Sequence, residues 1–84
     1  GVSMYPNPVR NGKLNLNFEL ERPADAEAAV YDYTGRELIR QDLGEITTGF
    51  NRQTLDVSKL NAGQYILQVR DQSRVKNIKF NVVR

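Results

Sequence analysis

A strict two-residue period dominates this sequence. In KLNLNFEL (13–20) every second residue is apolar, so an extended chain carries one apolar and one polar face. The same alternation recurs in QYILQVR (64–70) and in VKNIKFNVV (75–83), and no stretch shows a convincing 3.6-residue period. This pattern favours half-buried antiparallel strands and argues against any substantial helix.

Turn signals separate the alternating stretches at short intervals. Pro23 interrupts the chain after the first long stretch, Gly35 supplies a hairpin turn, and Gly44 and Gly49 bracket a loop. The remaining strands are predicted at 26–33, 37–43 and 51–57. Short strands with turns every 8–12 residues are typical of a β-sandwich. We therefore predict one domain spanning residues 1–84, all-β, an immunoglobulin-like β-sandwich of about seven antiparallel strands.

One tyrosine strengthens the sandwich prediction. In LNAGQYIL, Leu60, Gly63 and Tyr65 follow the order of a turn that leads into a core strand. In immunoglobulin-like sandwiches a tyrosine at this corner bonds through its hydroxyl to the upstream backbone. We interpret Tyr65 as such a corner. The alternative is an ordinary half-buried strand aromatic.

The residue inventory argues against catalysis. The chain has no Cys and no His, which excludes disulfides and thiolate metal sites and removes the commonest general base. Ser58 and Lys59 are adjacent and would point apart, and Asp25 with Glu27 fits a solvated acidic edge better than a glycosidase pair. No calcium loop or phosphate loop occurs. We predict no enzymatic activity, no cofactor and no metal.

Charge and hydropathy limit the partners. Residues 19–45 carry a net charge of −5 and residues 46–84 a net charge of +5, which most simply describes two oppositely charged solvated faces. The basic C-terminal hairpin has only Phe80 as a nearby aromatic, so we predict no nucleic-acid binding. No run of about 18 apolar residues occurs, so we predict no transmembrane segment.

Four motifs in order over the whole chain resemble a known family. They are YPNPVRNGKLNLNF, AAVYDYTGREL with its Gly35-Arg36 turn, GFNRQTLDVSKLNAGQYILQV, and VKNIKFNVVR. Together they resemble the type A C-terminal sorting domain of the type IX secretion system (Por secretion system) of Bacteroidetes. Gln64 before Tyr65, and Asn61-Ala62 where Pro often precedes Gly, are small departures.

The resemblance implies a cargo label rather than a catalyst. Such a domain is a non-catalytic secretion signal that the type IX translocon recognises, and a sortase-like peptidase usually removes it. It implies export through the periplasm to the outer-membrane surface or the medium. Because the chain begins at Gly1 rather than Met, we expect a piece of a longer secreted precursor.

Two groups of residues are candidates for recognition. Tyr5, Pro6, Asn7 and Pro8 form the first, because two prolines hold the segment extended at a sheet edge, although they also serve simply to end a strand. Lys76, Lys79 and Arg84 form the second, and we expect them to alternate away from the apolar residues of the last strand and to share one solvent face. Open edges also lead us to predict a weak homodimer.

Two alternatives to the cargo label stay open. One is an accessory immunoglobulin-like module of an extracellular hydrolase that binds glycan or spaces domains. Its only candidate sugar platform is Tyr31, Tyr33 and Phe50. The other is a retained sorting-like domain on a component of the secretion machinery.

Overall fold

A computed structural model describes all 84 residues as seven β-strands without a helix. The strands are β1 (Val2–Tyr5), β2 (Lys13–Leu20), β3 (Ala24–Tyr31), β4 (Glu37–Ile46), β5 (Gly49–Asp56), β6 (Gly63–Arg70) and β7 (Val75–Val82). They form a three-stranded sheet in the order β1-β2-β5 and a four-stranded sheet in the order β4-β3-β6-β7, with antiparallel pairing throughout. The predicted all-β sandwich of about seven antiparallel strands is confirmed.

The core is built by the alternating residues that the sequence pattern singles out. Leu14, Leu16 and Phe18 of β2 are buried, and so are Leu67 and Phe80 of the opposite sheet. β3, one of the two central strands of the four-stranded sheet, contributes only Ala and Val side chains to the core. No polar or charged residue is buried, so burial of apolar side chains accounts for sheet-to-sheet packing.

Several strand boundaries differ by one to three residues from the predicted ones, and two of these differences have a clear local cause. β3 ends at Tyr31 rather than at 33, because the carboxylate of Asp32 accepts the backbone N–H groups of Thr34 and Arg36 and starts the turn there. β4 runs on to Ile46 rather than ending at 43. Gly44 lies inside this strand at φ +69°, beside a register shift opposite Ala26, so it forms a bulge instead of bounding a loop.

The Pro6–Pro8 segment carries the chain from one sheet to the other. β1 pairs with β2 as far as Tyr5, and both prolines follow cis peptide bonds. Val9 then pairs in parallel with Val82 of the other sheet. Its N–H donates to Asn81 O at 2.8 Å and its carbonyl accepts Val83 N at 2.9 Å. The segment lies at sheet edges, as expected, since β1 and β7 are outer strands of their sheets, but it crosses from one edge to the other because the prolines donate to neither ladder.

Candidate functional site

The side chain of Asn7 continues the hydrogen-bond ladder where the prolines interrupt it. Its Nδ2 donates to Lys79 O at 3.4 Å, and its Oδ1 accepts the N–H of Asn81 at 3.0 Å. Val9 makes the next two bonds with its backbone. Pro6, Asn7 and Lys79 are all exposed. The structure thus brings together one member of each predicted recognition group, although they lie 72 residues apart in sequence.

The three basic candidates of the second group do not share one solvent face. Lys76 and Arg84 have the parity of the buried Phe80, whereas Lys79 has the opposite parity and points to the outer face. The prediction of a common face was wrong, because residues separated by an even number of positions lie on the same side of a strand. Lys79 alone of the three projects from the outer face of β7.

Lys76 and Arg84 each bind the C-terminal segment to another part of the fold. The Nζ of Lys76 donates to Val2 O at 2.7 Å, which joins β7 to β1. The guanidinium of Arg84 donates to Ser58 O at 2.9 Å and also to Leu60 O. Because both cations bond to backbone carbonyls, a change at either position alters the folded domain as well as its surface charge.

Tyr5 lies on the outer face of the three-stranded sheet. It pairs in register with Asn15, which points away from the buried side of β2. The guanidinium carbon of Arg52 lies 5.4 Å from the centroid of the Tyr5 ring, within the range of a cation–π contact. Although Tyr5 precedes Pro6 in the sequence, its ring therefore lies on a different surface from Lys79.

The residues assigned to structural motifs lie in two turns. Gly35 has φ +88° in the β3–β4 hairpin. The hydroxyl of Thr34 donates to Asp32 Oδ1 at 2.6 Å and lowers the pKa of that carboxyl, and the backbone N–H and charge of Arg36 act in the same direction. This role of Asp32 was not predicted, although an Asp at the start of a turn sequence with Gly is a recognisable signal.

The corner before β6 has the hydrogen bond expected of a tyrosine corner. The hydroxyl of Tyr65 donates to Asn61 O at 2.6 Å, four residues upstream. Its ring lies 5.8 Å from that of Phe80, measured between centroids. Leu60 is buried, and its N–H donates to Val57 O at 3.0 Å. Gly63 begins the strand that carries Tyr65 into the core.

The three aromatic residues considered for sugar stacking are dispersed. Tyr31 hydrogen-bonds through its hydroxyl to Glu37 and Arg40 on the four-stranded sheet. Tyr33 follows that strand in the hairpin turn, and Phe50, 83% exposed, lies on β5 of the other sheet. The structure does not bring them together into one platform.

A single arginine organises the charges around Tyr31. Arg40 pairs with Glu27 and with Glu37, each at 2.6 Å. The hydrogen bond from Arg40 lowers the pKa of the Glu37 carboxyl. Glu27 and Glu37 are thus both ion-pair partners of Arg40.

An apolar cleft opens between the sheets at the end of the domain that carries Gly1. Its volume is about 330 Å³, and its apolar lining includes Val2, Phe18, Leu20, Ala26 and Val69. The cleft has no signature in the sequence, since its walls come from strands of both sheets. No three His, Cys, Asp or Glu side chains are placed to hold a metal ion. The structure also contains no helix with the length and hydropathy to cross a bilayer.

Solved structures share this fold at low sequence identity. One is PorZ, described as an essential surface component of the type-IX secretion system of Porphyromonas gingivalis (TM-score 0.68, 23% identity). That match covers all of this chain and 12% of PorZ. Another is the alkylpurine DNA glycosylase AlkC of Pseudomonas fluorescens (TM-score 0.66, 14% identity), where the match covers all of this chain and 29% of AlkC. Such identities show the fold alone.

The family assignment comes from the sequence. A search of curated proteins found no match. A family model described as the secretion system C-terminal sorting domain matches residues 3–83. This range includes both turns described above and all but the outermost residues of the sandwich. The chain therefore belongs to the C-terminal sorting domain family of the type IX secretion system.

Proposed function

We propose that this chain is a non-catalytic secretion signal which the type IX translocon recognises to carry an attached cargo across the outer membrane. A sortase-like peptidase then removes the domain, and the cargo reaches the cell surface or the medium. The observation that carries this proposal is the family match over residues 3–83.

The geometry supports a signal that is recognised in folded form. Asn7 and Lys79 lie at opposite ends of the chain and become neighbours only when Asn7 bonds to the β7 backbone. A partner that contacts Pro6, Asn7 and Lys79 together distinguishes the folded domain from an unfolded one. We call these three exposed residues the latch patch.

A secretion assay tests the function. Residues 1–84 are fused behind a signal peptide and a fluorescent reporter in a Bacteroidetes host, with and without a working type IX translocon. Translocon-dependent export with loss of the domain is the expected result. If the reporter stays in the periplasm of both hosts, the sorting function is wrong, and the spacer or glycan-binding module becomes the better explanation.

Charge reversal tests the latch patch separately from folding. Lys79→Glu removes a charge that makes no hydrogen bond to the protein through its Nζ, so we expect its free energy of unfolding to stay within about 0.5 kcal/mol of the parent. We expect export to fall roughly tenfold, the effect of losing about 1.4 kcal/mol of binding. Arg22→Glu, an exposed reversal in the β2–β3 connection, is the matched control and keeps export.

Unlike Lys79, Lys76 and Arg84 cannot be changed without also affecting stability. Lys76→Met removes the bond to Val2 O, so we expect it to lower the unfolding temperature along with any change in export. Normal export of Lys79→Glu would exclude Lys79 as a docking residue, whatever the fate of the other two variants.

A retained domain is the second candidate function. The likeness to PorZ, described as a surface component of the secretion system, favours it. The same reporter assay separates the two candidates. Export with the domain still attached supports retention, and export with the domain lost supports a removable signal.

A further inference from the structure

The two sheets of the sandwich differ by one strand. β1 lies against β7, because the Nζ of Lys76 bonds to Val2 O and because the chain after β1 joins β7 at Val9. Counted from that side, β2 faces β6 and β5 faces β3. The last strand of the four-stranded sheet, β4, has no counterpart in the three-stranded sheet.

The apolar residues of β4 show the consequence. Leu38, Ile39 and Leu43 touch the core but are only half-buried, and only Ile46 at the end of the strand is fully buried. In the neighbouring β3, Ala28 and Val30 are fully buried. A groove of about 460 Å³ runs between β4 and the end of β5, lined by Leu38, Ile39, Asp56, Lys59 and Leu60. A strand placed beside β5 would cover this part of β4.

The edge of β5 that faces the vacant strand position has open backbone groups. Val57 N donates to Gly12 O, so odd-numbered residues of this segment bond to β2. By alternation, the N–H and C=O groups of Phe50, Arg52, Thr54 and Asp56 point away from β2. These residues span about 20 Å at roughly 3.3 Å per residue.

The other sheet edges are closed or protected. The far half of β7 is occupied by Asn7 and Val9, and β1 has only four residues. β4 carries two register shifts and several acidic side chains, which discourage strand addition. β5 pairs with β2 over eight residues without a register shift and exposes Phe50 almost completely. Among the four edges, β5 alone is long, regular and unprotected.

We infer that the β5 edge receives an extended segment of a partner polypeptide, about seven residues long, with apolar side chains at alternate positions. Its backbone pairs with Phe50, Arg52, Thr54 and Asp56, and its apolar side chains cover Leu38, Ile39 and Leu43. A second copy of this chain fits poorly, because its own β4 would have to share the space beneath the joined β5 strands. The inference is independent of the sorting function, since it follows from the strand count.

A synthetic peptide tests the inference. The probe is KLNLNFEL, residues 13–20 of this chain, with blocked ends. This segment has the required alternation, and inside the domain, as β2, it already pairs with the opposite edge of β5. Amide hydrogen exchange of the whole domain is followed by NMR at peptide concentrations on the order of 1 mM. We expect exchange at residues 50, 52, 54 and 56 to slow roughly tenfold, with other edges unchanged.

Proline at position 54 blocks the site without opening the native ladder. The N–H of Thr54 points to the open edge, so Thr54→Pro removes one donor there and none toward β2. Thr54→Ala is the matched control, because both variants lose the hydroxyl bond to Asn15 Oδ1 at 3.0 Å. We expect the peptide to slow amide exchange at the β5 edge of the alanine variant as in the parent, and to leave exchange in the proline variant unchanged.

Several results would overturn the inference. They are unchanged exchange at the β5 edge, equal protection in Thr54→Pro, protection at β1 or β7 instead, or equal protection by a peptide of the same composition without the alternation. Sedimentation of the domain alone is run in parallel, and a dimer that protects the same amides would assign the edge to a second copy.

Discussion

The hydroxyl of Tyr65 allows a sharp test of the corner before β6. Tyr65→Phe removes the hydrogen bond to Asn61 O at 2.6 Å and keeps the ring that packs 5.8 Å from Phe80. The free energy of unfolding should fall by about 1 kcal/mol, the usual net value of one protein hydrogen bond. For a domain of this size that corresponds to a decrease of about 4–8 °C in the unfolding temperature.

The assay is thermal and urea unfolding followed by circular dichroism at 220 nm or thereabouts, where strand content reports on the fold. Tyr33→Phe is the matched control, because that ring is 52% exposed and its hydroxyl makes no hydrogen bond within the domain. We expect the control to stay within about 0.5 kcal/mol of the parent. If Tyr65→Phe also stays within that range, its hydroxyl does not hold the corner, and Tyr65 is an ordinary strand aromatic.

Three further predictions follow from local geometry. Asn7→Ala should lower the free energy of unfolding in urea by about 1 kcal/mol, because one bond of 3.0 Å and a weaker one of 3.4 Å are lost. An unchanged free energy would mean that the backbone bonds of Val9 hold this edge without Asn7. Gly12→Ala should cost about 1–3 kcal/mol more than Gly35→Ala, because both residues have positive φ but only the Cβ at position 12 would meet another side chain at 2.9 Å; equal costs would contradict this. The backbone N–H of Ser73 lowers the pKa of Asp71, so the folded state binds fewer protons and stability should fall below about pH 4, less so in Asp71→Asn. With no His in the chain, melting temperatures should not change between about pH 5.5 and 7, and a change there would be contrary evidence.

The strands that sequence alone could locate are those whose side chains alternate over many residues. β2, β6 and β7 each present apolar residues at every second position, and burial of that face decides both their existence and their register. β1 escaped prediction because its four residues, VSMY, are too few to establish a period. It is a strand because β2 offers it a partner, and no local pattern encodes that pairing.

The roles of the basic residues depended on that missing strand. Parity along β7 is readable from the sequence and already places Lys76 with Phe80, against the predicted common solvent face. What the sequence could not supply is the acceptor, Val2 O, because Val2 belongs to the strand that was not foreseen. The acceptors of Arg84 lie in the connection between β5 and β6, and their position also depends on tertiary packing.

The same dependence decides how the Tyr-Pro-Asn-Pro motif should be tested. Its prolines mark an interruption, but only the folded chain shows that the interruption is a change of sheet completed by the side chain of Asn7. Asn7 supports the fold in any case, so a loss of export in an Asn7 variant would not distinguish weakened folding from a lost contact with the translocon. Lys79 lies beside it without supporting the ladder through its side chain, so a loss of export at unchanged stability can come only from a lost contact. Lys79, rather than the Tyr-Pro-Asn-Pro motif, is therefore the position at which recognition can be tested separately from folding.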